Sequence, residues 1–470
     1  MSKFSRTVVL TAIALIIIPQ IAHAGWMRTY GGPSGDGGRW VEITDDGSYV
    51  LCGATISDPN ILGFILKINP DGDSLWMPVY RVSRSGICHF YCVQQTQDKG
   101  YVLAGHGYAD NYKTDLALLK TDSAGDSLWA YRYGGDGNDR GQFIQITADG
   151  GYIMTGCTNS YGAGEYDIWV VRTDSLGNTL WTLAHGGEED DYGYCVRQTS
   201  DGNFVVVGKD GTVSGESAVW LLKIDDEGNL MWERKYGGNS EGRCVQETAD
   251  GGLIISGSSH DGGYVYLLRT DSVGDTLWTQ RYAGNPECRG YCVEQTTDRG
   301  YIIAGVTDLM FSPATRCNGR LIKTDSLGDT LWTRKFILTP GGDNTLRSVH
   351  QTADGGYIIA GRTGSAEAEK AFEIWLIKTD SLGYVGIAEI DNPPVVETGS
   401  TVDTSIEFSY TNLPGGFHAY VYDASGQKVG ELHAPLPSGS ISWGECYGPG
   451  VYFIRQLSGT GETHKVVLVK

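Results

Sequence analysis

Two phrases alternate along this chain, and together they restrict it to a repeat architecture. One reads KTDSLGDTLW at Lys323–Trp332, with relatives ending at Trp76, Trp129, Trp181, Trp232 and Trp278. The other reads QTADGGYIIAG at Gln351–Gly361, with counterparts centred on Asp46, Asp98, Asp149, Asp201, Asp250 and Asp298, which makes seven copies. Counting Trp26 and Trp332, the tryptophans recur about every 50 residues. A fixed period of that length implies supersecondary units that bury their faces only by stacking on one another.

Each unit reads as four strands. A first strand such as YCVEQT meets a tight Asp-Gly turn, and a second such as YIIAG follows. After a variable loop comes a third such as IWLIKT, then an Asp-Ser-x-Gly turn and a fourth such as LWTQRY. β-Branched and aromatic residues suit strands, while Gly and Asp supply the turns. No stretch carries a helical period. The fold expected is all-β: a seven-bladed β-propeller over residues 25–384, followed by a small immunoglobulin-like β-sandwich over 385–470. The seventh unit lacks its Trp strand after Asp380–Gly383, whereas the segment after residue 24 opens GWMRTYGG. Residues 25–30 are therefore expected to complete blade seven and close the ring. The Trp of each unit is expected to wedge between blades.

Residues 1–24 read as a signal peptide: Lys3 and Arg6, an apolar run Val8–Ile18, then Ala22-His23-Ala24. No later stretch suits a transmembrane helix, so none is expected after signal cleavage. The formal net charge of −20 argues against a nucleic-acid partner, which would need a basic face. Many of the acids fall in the turns, and the basic residue before each third-strand turn (Lys67, Lys120, Arg172, Lys223, Arg269, Lys323, Lys378) is expected to offset them as weak exposed pairs.

The turn-then-Trp phrase resembles the repeats of pyrroloquinoline-quinone-enzyme propellers, and it is similar to kelch repeats and to the Asp-box of sialidases. It departs from kelch in ending its second strand on a single Gly such as Gly305. It departs from the Asp-box in placing Gly three residues after Asp, as in Asp325 and Gly328. The C-terminal segment carries TSIEFSY at Thr404–Tyr410, AYVYDASGQKV at Ala419–Val429, GPGVYFIRQ at Gly448–Gln456 and a final KVVLVK. It resembles the C-terminal sorting domains of type IX secretion substrates, with DNPPVV a partial match at its start. That resemblance implies a secreted or cell-surface protein whose partner is the outer-membrane secretion machinery.

Strand order puts the Asp-Gly turns and the Asp-Ser-x-Gly turns on one face of the ring. The variable loops and blade-to-blade connections lie on the other, where binding is expected. Those loops (Ala54–Gly63, His106–Asp115, Thr158–Asp167, Val306–Gly319) offer Tyr108, Tyr112, Tyr161, Tyr166 and Phe311, suited to a glycan or a surface protein. Arg39, Arg243 and Arg347 share one register, with Tyr91, Gln142, Tyr194 and Tyr291 in the other units, and are candidates to line the axis. Glu188, Glu189, Asp190 and Asp191 are candidate Ca²⁺ ligands. Two disulfides are candidates, Cys288–Cys317 and Cys52–Cys88. No HExxH or GxSxG pattern occurs. The functional expectation is a binding or structural module; the alternative is an extracellular carbohydrate-active enzyme, hydrolase or lyase, on the same face. A quinone-cofactor dehydrogenase is the third reading.

Overall fold

The computed structural model describes residues 25–385 except 32–34, 58–59, 83–87, 109–112, 212–216, 283–287, 308–316, 340–341 and 365–371. Beyond these it describes 395–398, 402–403, 406–411, 417–425, 427–434, 439–444, 447–456 and 463–468. The expected signal segment lies outside the described residues. The chain divides into two compact units between Gly386 and Ile387. All described regular elements are strands.

The first unit has a propeller-like fold. Seven antiparallel sheets follow one another, each with its strands in chain order except the last. The last sheet takes its outer strand from the other end of the unit: Trp26–Tyr30 pairs with Glu373–Thr379, Trp26 opposite Lys378 and Tyr30 opposite Ile374. The inner strands run Asp36–Ile43, Cys88–Gln95, Asp139–Ile146, Tyr192–Gln198, Ser240–Glu247, Arg289–Gln295 and Asp343–Gln351. Each touches the next, and the seventh touches the first. Second and third strands, such as Tyr152–Thr158 and Asp167–Thr173, are buried throughout, whereas outer strands such as Leu230–Tyr236 alternate toward solvent. A sheet covered on both faces needs such continuous apolar runs, and an outer edge does not.

The seam between sheets is built from the Trp and the turn Gly. Gly72 and Gly383 have φ of +90° and +80°. A Cβ on Gly72 would sit 3.0 Å from the Trp26 ring, and one on Gly383 2.8 Å from Trp332. The same contact joins Gly125 to Trp76, Gly177 to Trp129, Gly228 to Trp181, Gly274 to Trp232 and Gly328 to Trp278. Each Trp thus lies under the turn of the following unit, and Gly is required there both for its backbone and for its missing side chain. Six of the seven Trp rings also meet an aromatic ring at the start of the neighbouring second strand, as Trp332 meets Tyr357 at 5.9 Å. Two Asp-Gly turns depart from expectation. At Asp98-Lys99 and Asp298-Arg299 a non-glycine residue takes the positive φ, +64° and +66°.

The expectation of weak exposed ion pairs is corrected. The seven basic residues are buried, and each reaches the aspartate of its own first turn: Lys67–Asp46, Lys120–Asp98, Arg172–Asp149, Lys223–Asp201, Arg269–Asp250, Lys323–Asp298 and Lys378–Asp354. The strand-end Thr donates its hydroxyl to the same carboxylate, as Thr352 does to Asp354 at 2.5 Å. Burial opposes ionisation, yet Thr96, Lys120 and the Gly100 amide hold Asp98 down to about 2. These are latches across each sheet, tying the first turn to the third strand.

The second unit has a three-stranded sheet (Val395–Thr398, Ile406–Thr411, Gly439–Trp443) and a five-stranded sheet containing Phe417–Asp423 and Gly450–Gln456. They share one apolar core of Phe408, Phe417, Val421, Leu432, Trp443 and Ile454.

Candidate functional site

A recurrent irregularity positions the site. Every inner strand of the first unit slips register once against its second strand: between Gly38 and Trp40, Phe90 and Cys92, Gly141 and Phe143, Gly193 and Cys195, Gly242 and Cys244, Gly290 and Cys292, and Leu346 and Ser348. The unpaired residues are Arg39, Tyr91, Gln142, Tyr194, Arg243, Tyr291 and Arg347. A β-bulge adds one residue and re-aims its side chain. These seven side chains line a single cavity of about 270 Å³, with Trp40, Phe143 and Cys244. The recurring Gly, expected to end each second strand, lies inside it, as Gly305 does in Tyr301–Thr307, and faces the bulge; a Cβ on Gly361 would collide with the Thr345 carbonyl and one on Gly305 with that of Arg289.

The cavity is closed at one end. Trp40 and Phe143 meet edge to face at 5.0 Å. Behind them Arg197 lies 4.6 Å from the Phe143 ring centre, and His350 Nδ1 pairs with Glu294 Oε2 at 2.7 Å. Beside them the thiols of Cys92, Cys195, Cys244 and Cys292 donate to carbonyls of the following unit. The floor residues come later along the inner strands than the bulges do. The cavity therefore opens toward the face where those strands begin, the face of the variable loops.

Its electrostatics run against the charge of the chain. Arg39 lies 5.0 Å from the Tyr91 ring centre, Arg243 3.9 Å from Tyr194 and Arg347 4.1 Å from Tyr291. Arg243 pairs with Glu241 at 2.7 Å, and that contact holds the carboxylate below its ordinary range although burial pushes the other way. Among the described residues, Arg39 and Arg347 have no carboxylate partner, and Arg347 Nε is buried without a hydrogen bond. Burial and the nearby guanidiniums of Arg39, Arg362 and Arg243 push Arg347 down to about 10, against the favourable Tyr291. His89 and His106, 5.2 Å apart, are pushed down to about 4 and about 3; burial leads in both, and Arg39 contributes. Both imidazoles are neutral at neutral pH.

The loop aromatics divide. Tyr112 and Phe311 lie outside the described residues. Tyr108 ends the strand Tyr101–Tyr108 and is partly buried. Tyr161 is 48% exposed, packs near Trp169 and donates to the Gly134 carbonyl. Tyr166 does not line the cavity but is linked to it: it lies under Arg140 and stacks on Tyr192, which stacks on the lining residue Tyr194. The segment Ala54–Gly63, expected as a long loop, is mostly a continuation of the hairpin, Thr55 pairing with Leu62 and Ile56 with Ile61.

The acid run does not assemble as expected. Asp191 is fully buried and accepts from the Gly187 and Gly211 amides at 2.7 and 2.8 Å. It holds the connection between sheets, as Asp139 does through Gly135. Glu188, Glu189 and Asp190 instead line a separate open cavity of about 420 Å³ with Glu165 and Lys209. Among the described residues no three His, Cys, Asp or Glu side chains are grouped to hold a metal ion, so the Ca²⁺ expectation does not fit this run. The disulfide expectations also change. Cys317 Sγ contacts Asp343 and lies 3.3 Å from Thr345 Oγ1, and it is not bonded to Cys288. Cys52 and Cys88 are buried, unbridged thiols.

No family model matches the chain. Over 176 residues it is 27% identical to the regulatory protein FlaEY of Caulobacter vibrioides; the match covers 32% of this chain and spans 18% of that protein's length. Among solved structures, PorZ, described as a surface component of the type IX secretion system of Porphyromonas gingivalis, aligns at TM-score 0.46 and 11% identity, covering 90% of this chain and 58% of that one. The extracellular domain of the two-component system BT4673 from B. thetaiotaomicron aligns at TM-score 0.47 and 11% identity, over 95% and 59%. A Bacteroides caccae protein of unknown function aligns at 0.40 and 13%, over 64% and 94%. Among the described residues no helix is long and apolar enough to cross a membrane.

Proposed function

We propose that this chain is an exported, seven-bladed β-propeller acting at the cell surface or outside the cell as a binding or structural module. Its ligand sits on the face of variable loops. The C-terminal unit is the immunoglobulin-like sorting domain that the phrases TSIEFSY, AYVYDASGQKV and GPGVYFIRQ resemble, and it directs passage through the type IX machinery.

One observation carries the binding assignment: the walls of the axial cavity. The latch aspartates, the strand-end threonines and the wedge tryptophans recur in all units. The bulge residues, equally fixed in place, are three Arg, three Tyr and one Gln. A scaffold that repeats its structural parts but varies the side chains it aims into one cavity is built to recognise something. Among the described lining residues there is no carboxylate. The cavity thus supplies no facing acid pair of the kind a glycosidase uses, which favours binding over hydrolysis.

The test is a glycan array with the mature protein, run beside turnover assays on the same polymers. Saturable binding without product supports the reading, and product formation that depends on residues of this face overturns it. The export assignment is tested separately. Removing residues 387–470 should leave the propeller behind the outer membrane, and undiminished surface exposure of the truncated chain would refute the sorting role.

A further inference from the structure

We propose that the axial cavity is a binding site for a small ligand carrying an oxyanion, held by Arg39 and Arg347 and flanked by Tyr91 and Tyr291. This deepens the binding reading above and rests on it. Seven bulges deliver seven side chains to one cavity, and in a chain with 56 acidic and 36 basic residues none of the seven is acidic while three are arginine. Net charge would favour the reverse.

Two of these three half-buried arginines also lack the carboxylate partner that the third has. Arg243 has Glu241. Among the described residues Arg39 and Arg347 have ring contacts only, and a buried Arg347 Nε goes without an acceptor. The first and seventh sheets are neighbours, so these two unpaired cations come from adjacent inner strands. Like charges gathered in a closed-ended cavity repel, and each carries a desolvation cost. Ring faces recover part of that, since a cation is attracted to the negative face of an aromatic ring. They offer no acceptor for the in-plane N–H groups. A carboxylate, sulfate or phosphate does, and guanidinium presents a planar fork to such groups.

The size is consistent with a compact ligand. At about 270 Å³ the cavity falls just under the range of drug-sized pockets, ~300–1,000 Å³. It takes a monosaccharide-sized molecule or the charged tip of a chain. Tyr194, Tyr192 and Tyr166 continue as a stacked wall from the cavity toward the loops, a path along which the uncharged part of a ligand can lie.

The experiment measures binding to the full mature chain in a low-chloride buffer free of phosphate, by calorimetry and by thermal shift. The probes are glucuronate, glucose as its neutral counterpart, inorganic sulfate and inorganic phosphate. Saturable binding of glucuronate with none of glucose is the expected result. Arg347→Gln and Arg39→Gln should each weaken it ~10-fold or more, the scale of one charge-assisted contact. Arg347→Lys should recover part of the loss, and Leu176→Ala, in an exposed turn on the opposite face, should change nothing. Saturable binding of sulfate or phosphate but not glucuronate, lost in the same variants, supports the oxyanion site and assigns its carrier. Absence of saturable binding by all three anions, or equal binding of glucose, overturns it. So does anion binding that survives both Arg→Gln changes. An array signal from the wild type that persists in these variants removes the cavity assignment alone and leaves the broader binding reading standing.

Discussion

The two ends of the inner strands obey opposite rules. At the end where they turn, every unit repeats one chemical solution: a Thr, an Asp and a buried Lys or Arg locked together. Five residues before the Thr, at the bulge, the backbone is just as uniform but the side chains differ from unit to unit. Both ends are set by the same geometry, so geometry does not explain the difference. Where a repeat protein keeps a residue in every unit, the residue maintains the unit. Where it keeps the position and varies the residue, the position serves something outside the fold.

If that division holds, the largest effect should come from the seam. Deleting residues 25–30 leaves the last sheet with three strands and removes the Trp26 ring from beneath Gly72. The Trp26 indole also loses its bond to the Pro70 carbonyl, and Tyr30 its bond to that of Gly72. Burial of two large aromatics at ~1.5–3 kcal/mol each, with the lost ladder, predicts a destabilisation on the order of 5 kcal/mol. Calorimetry of the truncated chain checks it, and an unchanged melting temperature would mean that the strand closes nothing.

The latches come next. Lys378 is 3% exposed and Asp354 26%, so removing the acid strands a buried ammonium. Breaking a buried pair from one side costs ~3–5 kcal/mol, and the half-open position of Asp354 lowers the expectation to about 2 kcal/mol for Asp354→Ala. Lys378→Met added to it should restore much of the loss in denaturant titrations, because the stranded charge goes too. Acid should act on all seven at once. Aspartates held below their unfolded value contribute stability that is complete above about pH 4. It drains away as pH falls through their folded values, about 2 for Asp98. Urea midpoints measured from pH 5 to pH 2 should fall across that window, and more shallowly in a chain with two latches replaced by Met and Asn.

The units, the seam and the latch residues could be read from sequence because each depends on local chemistry repeated seven times. Gly after a turn Asp, Trp four residues later and Thr two before the first-turn Asp are such signals. The burial of the latch cations could not, since an Asp beside a Lys looks the same whether exposed or enclosed. The axial register of Arg39, Arg243 and Arg347 was visible as an alignment column, but the bulge that aims it was not. Its trace is the lone Gly inside each second strand, which in sequence reads as a strand terminator until the facing carbonyl is seen. Asp191 was misread because the dense run Glu188–Asp191 overshadowed its place in a wider pattern: Gly134-Gly135 with Asp139 and Gly186-Gly187 with Asp191 share one spacing and one job.

The sharpest contrast is the smallest effect. Arg347→Gln removes a guanidinium as completely as Asp354→Ala removes a carboxylate, and both residues belong to the seventh unit. In the latch the loss uncovers a charge. In the cavity it removes one that already repels Arg39, Arg243 and Arg362 and whose Nε has no acceptor. Against this stands the ring contact with Tyr291 at 4.1 Å, worth ~0.5–2 kcal/mol. The two nearly cancel, so unfolding free energy should change by less than about 1 kcal/mol, with a gain as admissible as a small loss. High salt separates the contributions. It screens the repulsion among the arginines and should stabilise the native chain more than the variant at this site. A loss as large as that of Asp354→Ala would show that the cavity arginines hold the fold together after all, and the contrast between the two strand ends would collapse.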